Sequence, residues 1–329
     1  MNGIDKQPTQ KGRSSANGAC KTMKVYRSLK EIDFHDPCWI SVGTFDGIHV
    51  GHRAILERLI ERSRGENGKS VLVTFEPHPQ NVIQSSKPPV SILTPLDEKA
   101  ELLQTVGVDA ALVLTFTEEF ARIGPEAFVE TLNRFFLIRG MVSGSSHVFG
   151  SRRSGNAGIL ESLGKRFGFS AEVVPPVLID GEAVSSTSIR DFLLSDHLSK
   201  ANRFLGRNYS IPGRVIAGER IGTKMGFPTA NLRPEHENKL IPRNGVYAVL
   251  VRMEEKKAAG TANIGFCPTV GKPERSIEVH LHGWKGDLYD RKIILEFVHR
   301  LRDEKKFDTM QALAEQIKQD MVKTQQLLL

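Results

Sequence analysis

The spacing of apolar residues changes near residue 206, and this change limits the folds that the chain can adopt. Before it, short apolar segments alternate with segments of helical spacing, as in Val71–Phe75 and Leu96–Val106. After it come short strands separated by glycine and proline, beginning with Gly213–Ile216. The first pattern predicts a parallel sheet with helices on both faces, and the second predicts a small antiparallel barrel.

We therefore predict two folded domains in the 329 residues, a length at which each domain can bury its own core. Residues 23–204 form the predicted α/β domain, which ends in one long helix over Ser186–Leu205. Residues 205–329 form the predicted barrel, followed by an amphipathic helix over Thr309–Met321. Residues 1–22 contain little to bury, so we expect a disordered extension, and translation starting at Met23 is an alternative to Met1.

Composition excludes several classes of protein. The longest apolar runs, such as Ala110–Leu114, are too short to cross a bilayer, and residues 1–22 contain no apolar signal segment. The three cysteines form no CxxC pair, so neither a disulfide framework nor a zinc knuckle is indicated. These features predict a cytoplasmic protein that has no membrane partner.

The charge of the chain favours small anions over nucleic acid. The net charge is +7, but the only cluster of basic residues is Ser151–Ser154, and no stripe of Lys, Arg and aromatic residues is visible. Nucleotides account for a mild basic excess. We expect small-molecule partners and no nucleic acid, and the sequence leaves the oligomeric state open, a monomer included.

A predicted strand-to-helix passage at residues 43–52 has the features of a phosphate site. It reads Gly-Thr-Phe-Asp-Gly-Ile-His-Val-Gly-His. The glycines permit a tight turn, and the first turn of a helix offers free N–H groups that attract phosphate. His49 and His52 share one face of that turn. They could therefore donate to the phosphates of ATP and stabilise a pyrophosphate leaving group.

Two other interpretations of the histidine pair remain open. One histidine could cap the helix while the other is a surface residue. A zinc site is the second option, but no nearby Cys, Asp or Glu cluster supplies the further ligands that zinc needs. The strand–turn–helix context and the glycines favour the phosphate site.

Residues 222–232 contain a second phosphate motif of a different kind. They read Gly-Thr-Lys-Met-Gly-Phe-Pro-Thr-Ala-Asn-Leu, without the Gly-Lys-Ser/Thr of a Walker loop. Glycines let backbone amides approach phosphate oxygens. The Thr229 hydroxyl and the Asn231 carboxamide offer neutral oxygen ligands to Mg²⁺. Two different phosphate motifs predict two active sites on one chain.

A carboxylate on a later strand could serve the second site. Glu278, His280 and His282 face one side of a predicted strand, and Glu278 suits a general base for a primary hydroxyl. The same alternation also fits a solvated edge strand. A transition-metal site is a third option, because His-x-His is a known ligand spacing.

These motifs together resemble the prokaryotic bifunctional riboflavin kinase/FAD synthetase family, over residues 23–329. The stretch at 43–52 looks like the adenylyltransferase signature of the nucleotidylyltransferase superfamily, and Thr74–Pro79 and Ser185–Arg190 resemble two further motifs. Stretches similar to the riboflavin kinase module are Leu205–Tyr209, Pro242–Tyr247, Ala262–Gly265, Pro268–Val270, Gly286–Tyr289 and Leu301–Glu304 with Phe307.

The resemblance implies a Rossmann-like nucleotidylyltransferase domain and a six-stranded kinase barrel. The barrel would phosphorylate riboflavin to FMN, and the first domain would join FMN to AMP, giving FAD and pyrophosphate. ATP would be the co-substrate of both steps, with Mg²⁺.

The resemblance also implies residue roles. In the first domain His49 and His52 would be catalytic, with ATP held by Gly43, Phe45, Asp46, Gly47, Arg153, Ser186, Thr187 and Arg190. In the barrel Glu278 would be the base and Thr229 and Asn231 the Mg²⁺ ligands, with ATP held by Gly222, Lys224, Gly226, Phe227, Pro228, Thr229 and Asn231. Flavin would contact His78, Pro79, Arg302 and Phe307.

The chain departs from the family pattern at a few positions. Ser146 and His147 replace an acidic or amide residue and an aromatic residue, and Asn156 stands where Asp is common. In the barrel the departures are Thr223 and Asp290. The N-terminal departures motivate an alternative, a monofunctional riboflavin kinase with a degenerate adenylyltransferase domain. A flavin-sensing or nucleic-acid-binding protein is a further alternative, for which we would expect a basic stripe.

Overall fold

The computed structural model describes residues 22–84, 86, 88–145, 157–218, 222, 226–254, 256–267 and 274–328. Several predictions fall outside these residues. They concern the extension over 1–21, the site residues Arg153 and Lys224, and the departures Ser146, His147, Asn156 and Thr223.

The N-terminal half is built on a parallel sheet, as predicted, and the sheet has six strands. The strands are β1 (Lys24–Tyr26), β2 (Pro37–Val42), β3 (Lys69–Glu76), β4 (Ala110–Thr115), β5 (Leu137–Gly144) and β6 (Ser170–Val174), in the order β1-β4-β3-β2-β5-β6. The helices are α1 (Val50–Gly65), α2 (Pro79–Ile83), α3 (Leu96–Val106), α4 (Glu118–Ala121), α5 (Pro125–Asn133) and α6 (Ala157–Phe167), with a 3₁₀ turn at Leu29–Glu31.

Both faces of this sheet are covered because neighbouring residues of each buried strand point to opposite sides. On β2, Trp39 belongs to an apolar cluster with Leu56 of α1 and Leu103 of α3. Its neighbour Ile40 belongs to a second cluster, which contains residues of α5 and α6. Two separate cores, one on each face, therefore confirm the predicted layering.

The strand order also fixes where a ligand can bind. From β2 the chain moves to β3 and β4 on one side, and then returns to place β5 on the other side of β2. The reversal creates a crevice at the carboxyl ends of β2 and β5, which is where open α/β sheets bind ligands. The motif at residues 43–52 begins directly after β2.

A short connecting region links the sheet to the barrel. It consists of a hairpin, β7 (Leu178–Ile179) and β8 (Glu182–Ala183), and two helices, α7 (Ser186–Leu194) and α8 (Leu198–Leu205). The prediction of one helix over Ser186–Leu205 was wrong, because extended backbone at Ser195 ends α7. The apolar pattern also predicts one strand over Ala171–Ile179, but the structure divides it, since Pro175 and Pro176 offer no N–H group to continue the ladder.

The C-terminal half is a closed barrel of six strands, each paired antiparallel with its neighbours. The strands are β9 (Tyr209–Ile216), β10 (Ala230–Pro234), β11 (Gly245–Met253), β12 (Lys256–Cys267), β13 (Glu274–Leu281) and β14 (Lys292–Arg302), in the order β10-β13-β12-β11-β14-β9. The terminal helix α9 (Met310–Leu328) packs on β11, β12 and β14. Strand β10 was not predicted, because proline bounds this short segment and only Leu232 within it is buried.

The two halves share one apolar core at their junction. Phe204 and Leu205 of α8 lie in the same buried cluster as Tyr209 and Ile211 of β9. The domain boundary, which stays a prediction, therefore falls within continuous packing. In the described parts of the chain, no helix has both the length and the apolar character that a membrane span requires.

Candidate active sites

The loop after β2 has an unusual backbone that presents α1 to the crevice. Phe45 (φ 47°), Gly47 (φ 93°) and Ile48 (φ 39°) all adopt left-handed conformations. Such angles are uncommon for non-glycine residues and persist where surrounding packing enforces them. The Phe45 and Ile48 side chains are fully buried, so the core beneath the loop supplies that packing.

The loop delivers His49 and His52 to the start of α1 as a stacked pair. The ring centroids are 3.6 Å apart with an interplanar angle of 15°. His49 is the N-cap, and its Nδ1 accepts a hydrogen bond from the backbone N–H of His52 at 3.2 Å. In the neutral ring the proton of His49 is then on Nε2. The two side chains are 5% and 7% exposed, so His49 is a cap but His52 is not a surface residue.

A cavity of about 1230 Å³ opens beside this pair and combines two kinds of wall. Its polar end contains Gly43, Thr44, His49, His52, Ser186 and Thr187. Its other end is lined by Phe75, Phe116, Phe120 and Phe128, and the predicted flavin residue Pro79 also lines it. The aromatic rings contact one another, with centroids 5.4 Å apart for Phe75 and Phe120.

Sequence reasoning missed the aromatic end of the cavity. The four rings come from β3, the residue after β4, α4 and α5. Only Phe116 and Phe120 share a local spacing, of four residues. The available signal was that Phe75, Phe116 and Phe128 lie in segments whose apolar spacing predicts a strand or a helix. Their convergence depends on the three-dimensional fold.

Asp46 and Arg190, both assigned to ATP in the sequence, bind each other. The Asp46 carboxylate is 1% exposed and forms an ion pair with Arg190 of α7. It also accepts hydrogen bonds from the backbone N–H groups of Leu93 (3.1 Å) and Thr94 (2.9 Å). The geometry therefore gives Asp46 and Arg190 a role in fixing the loop, and their contact with ATP stays a prediction.

We expect Asp46→Ala to lower the free energy of unfolding by about 3–5 kcal/mol, the usual cost of removing one partner from a buried ion pair. Urea denaturation would measure it. The control is Glu118→Ala, because Glu118 pairs with Arg122 at a site where both side chains are exposed. That pair should contribute no more than about 1 kcal/mol. An equal, small loss in both variants would show that the Asp46 network does not stabilise the fold.

Lys99 of α3 is a further polar residue at this site that sequence reasoning did not identify. It is buried, and its ammonium donates to the Thr44 carbonyl at 2.7 Å and to Thr74 Oγ1 at 3.4 Å. Burial lowers the pKa of Lys99, and the nearby Asp46 carboxylate opposes that shift. Lys99 therefore fixes the backbone at the polar end of the cavity.

His78, predicted to contact flavin, is the N-cap of α2, and its Nδ1 accepts from the Gln80 N–H at 3.2 Å. Burial lowers the pKa of His78 to about 4; Asp46 opposes this shift, and Arg190 and Lys99 make smaller contributions to it. The folded state therefore binds fewer protons than the unfolded state between pH 6.5 and about 4. Stability from this group is present above pH 6.5 and is lost as the pH falls.

We expect His78→Gln to flatten the acid side of a plot of Tm against pH, between pH 6.5 and about 4. Scanning calorimetry at a series of pH values would measure the slope. The matched control is His35→Gln, because His35 is exposed. The control should keep the slope of the parent chain. If His78→Gln also keeps it, His78 is not the group that causes the loss of stability at acid pH.

In the barrel, strand register brings the predicted base and metal ligands together. Glu278 of β13 pairs with Asn231 of β10 on one side and with Asn263 of β12 on the other. Thr229 Oγ1 lies 3.5 Å from Glu278 Oε2, at the long limit of a hydrogen bond. The site thus contains one carboxylate, one hydroxyl and two carboxamides, and Asn263 was not identified from the sequence.

Two glycines before β10, one of them in the motif at residues 222–232, let the backbone approach these groups closely. A Cβ on Gly218 would collide with the Asn231 carboxamide, and a Cβ on Gly222 would collide with the Phe227 carbonyl oxygen. The backbone N–H of Phe227 donates to the Gly222 carbonyl at 2.8 Å. A side chain at Gly222 would therefore displace backbone, whereas one at Gly218 would displace the Asn231 side chain.

The two histidines beside Glu278 support the loop and the last helix. His280 Nδ1 lies 2.9 Å from the Pro228 carbonyl. His282 Nε2 lies 2.9 Å from the Thr261 hydroxyl, which lies 2.9 Å from the Thr324 hydroxyl of α9. Among the described residues, no group of three or more His, Cys, Asp or Glu is arranged to hold a metal ion. These contacts give the His-x-His pair a structural role.

Arg302, predicted to cover the flavin, is anchored by α9. Its guanidinium binds the buried Asp320 carboxylate through Nε at 3.0 Å and Nη2 at 2.7 Å. It also lies over the Phe307 ring, 6.0 Å from the centroid. Arg302 and Phe307 thus lie together, and their contact with flavin stays a prediction.

Comparison with known proteins finds a different family model for each half of the chain. A family model described as FAD synthetase matches residues 31–188, and one described as riboflavin kinase matches residues 205–328. A crystal structure described as a macrolide-efflux protein from Streptococcus pneumoniae has a TM-score of 0.84 at 27% identity, covering 92% of this chain and 99% of that one.

Named relatives match almost end to end. The bifunctional riboflavin kinase/FMN adenylyltransferase of Haemophilus influenzae is 35% identical over 86% of this chain and 92% of its own length. That of Escherichia coli K12 is 34% identical over 91% of this chain and 96% of its own length. The chain belongs to the bifunctional riboflavin kinase/FMN adenylyltransferase family.

Proposed function

We propose that this chain phosphorylates riboflavin to FMN in its barrel and adenylylates FMN to FAD in its α/β domain. The observation that carries the proposal is the presence of two separate polar sites on two different folds. One has a carboxylate beside hydroxyl and carboxamide oxygens, and the other has stacked histidines at a helix N-terminus. The match of both family models to the corresponding halves supports the pairing of each site with one reaction.

In the barrel, Glu278 would take the proton from the 5′-hydroxyl of riboflavin as its oxygen attacks the γ-phosphorus of ATP, and ADP would leave. Backbone amides of the loop around Gly222 and Gly226 would bind the phosphates. The oxygens of Thr229 and Asn231 fit Mg²⁺, a hard cation that binds oxygen ligands together with substrate phosphates. When bound, Mg²⁺ would neutralise charge on the β- and γ-phosphates.

In the α/β domain, the FMN phosphate would attack the α-phosphorus of ATP and pyrophosphate would leave. No general base is required, because the FMN phosphate is already ionised at neutral pH. The N-terminus of α1, with His49 and His52, would stabilise the negative charge that develops on the leaving group. The Ser186 hydroxyl lies close to this turn, because it donates to the Asp46 carbonyl at 2.8 Å.

The aromatic end of the cavity would hold the isoalloxazine ring. Phe75, Phe116 and Phe120 line the same cavity of about 1230 Å³ as His49 and His52. Flat aromatic ligands stack on such side chains.

We expect Phe120→Ala to raise the KM for FMN about tenfold, since stacking of a heteroaromatic ring on an aromatic side chain contributes about 1–3 kcal/mol. Quenching of FMN fluorescence would give the matching change in Kd. Riboflavin phosphorylation should be unaffected, because Phe120 lies outside the barrel. Phe135→Ala is the matched control, since Phe135 is partly exposed and does not line the cavity. An unchanged Kd in Phe120→Ala would place the flavin elsewhere.

The monofunctional alternative makes a different prediction for the same assay. Incubation with riboflavin, ATP and Mg²⁺, followed by chromatography, should give FMN first and FAD later. FMN without FAD would support a kinase with a degenerate first domain. The intact histidine pair and its open cavity favour both activities.

A further inference from the structure

A short segment, residues 91–94, connects the histidine loop to the barrel. On one side its backbone N–H groups at Leu93 and Thr94 hold the Asp46 carboxylate, which fixes the loop before His49. On the other side Ile92 pairs with the barrel. The Ile92 N–H donates to the Asn238 carbonyl at 2.8 Å, and its carbonyl accepts from the Leu240 N–H at 2.9 Å.

The side chain of Lys239, a residue of the barrel half, inserts where residues 91–94 contact that half. The residue is 4% exposed, and its ammonium donates to the Leu93 carbonyl at 2.8 Å and to Glu98 Oε2 of α3 at 2.7 Å. It also lies 4.8 Å from the centroid of the Tyr209 ring. Lysine is rarely buried to this extent unless it is paired. The same residue that forms the backbone bridge thus places its charge within the α/β domain.

The charges around Lys239 come from both halves of the chain. Burial lowers the pKa of Lys239 and raises that of Glu98, and each partner opposes the shift of the other. Asp46 and Arg207 also act on Lys239, with opposite signs. Arg207, just after α8, donates to the carbonyl of Ile48 at 3.3 Å, directly before His49. Two basic residues beyond residue 204 therefore reach the segments that hold the histidine loop.

We propose that Lys239 is a positioning residue for adenylyl transfer, holding the His49–His52 loop in its reactive geometry through Leu93 and Asp46. This inference rests on the proposed function of that loop. It makes the reaction of the α/β domain dependent on a side chain of the barrel, whereas the kinase reaction does not use Lys239. A shift of the loop would affect catalysis more than flavin binding, because the aromatic end of the cavity is built by other elements.

The test is Lys239→Met in the full chain, which removes the ammonium and keeps the apolar stem. We expect kcat for FMN adenylylation to fall about tenfold, less than the roughly 100-fold cost of a 1 Å misplacement. The KM for FMN and the rate of riboflavin phosphorylation should not change. The stoichiometry of FMN binding, measured by fluorescence titration, corrects kcat for any loss of folded protein.

His236→Gln is the matched control, because His236 Nε2 lies 2.9 Å from Asp97 and joins α3 to the same part of the barrel half at an exposed position. It should keep the parent kcat. Glu98→Gln is the second variant; it retains an acceptor for Lys239 and should lower the same kcat by a smaller factor. An unchanged kcat in a folded Lys239→Met or Glu98→Gln chain would overturn the proposal, as would an equal fall in His236→Gln. A parent chain that makes no FAD would instead refute the proposed function.

Discussion

Glu278→Ala is expected to reduce FMN formation by about 10²- to 10⁴-fold, the usual contribution of a positioned general base. Glu278 is the carboxylate that strand register places beside both Asn231 and Asn263, with Thr229 in contact. Without it, the attacking hydroxyl loses the carboxylate that we propose as the acceptor of its proton. Initial rates of FMN formation, followed by chromatography, would measure the loss.

The same variant provides an internal control. Conversion of FMN to FAD should continue at the parent rate, because it uses the other site. Glu278→Gln should lose kinase activity to a similar extent, since the carboxamide keeps the shape of the side chain but accepts no proton at neutral pH. If either variant turns over riboflavin at the parent rate, Glu278 is not the base.

His52→Ala is expected to lower FMN adenylylation by about 10²-fold if its imidazole stabilises the charge of the leaving pyrophosphate. Riboflavin phosphorylation should be spared. His52 is a better test than His49, because His49 Nδ1 also caps α1 and its loss would cost about 0.5–2 kcal/mol of stability. Separate assays of riboflavin phosphorylation and FMN adenylylation would measure both effects. Equal losses in both would mean that the histidine acts through the stability of the whole chain.

Much of the fold could be predicted from the sequence, because helices and strands leave a pattern of apolar spacing among residues that are close in the chain. The alternation of apolar runs and helical spacing predicted the parallel sheet, and Leu96–Val106 has the predicted bounds. The break between α7 and α8 was missed, since apolar residues recur at helical spacing across Ser195–His197. Strand β10 was missed because its pairing with β9 and β13, rather than its composition, makes it a strand.

The sites, too, could be predicted only where their residues are close in sequence. His49 and His52, or Thr229 and Asn231, are close in sequence, so spacing alone could place them together. Asp46 meets Arg190 across 144 residues, and Lys239 meets Glu98 across 141. No periodicity links such pairs. Asp46 and Arg190 could therefore be recognised as important, but the structure was needed to find that they bind each other.

The central claim is that one chain holds two ATP sites, one serving attack by an alcohol and the other attack by a phosphate. Tracing the phosphorus atoms tests it most directly. The full chain would be incubated with riboflavin, Mg²⁺ and ATP radiolabelled at either the γ- or the α-phosphorus, and the flavins separated. We expect γ-label in both FMN and FAD, and α-label in FAD alone. Label from the α-phosphorus in FMN, or no label in either flavin, would contradict it.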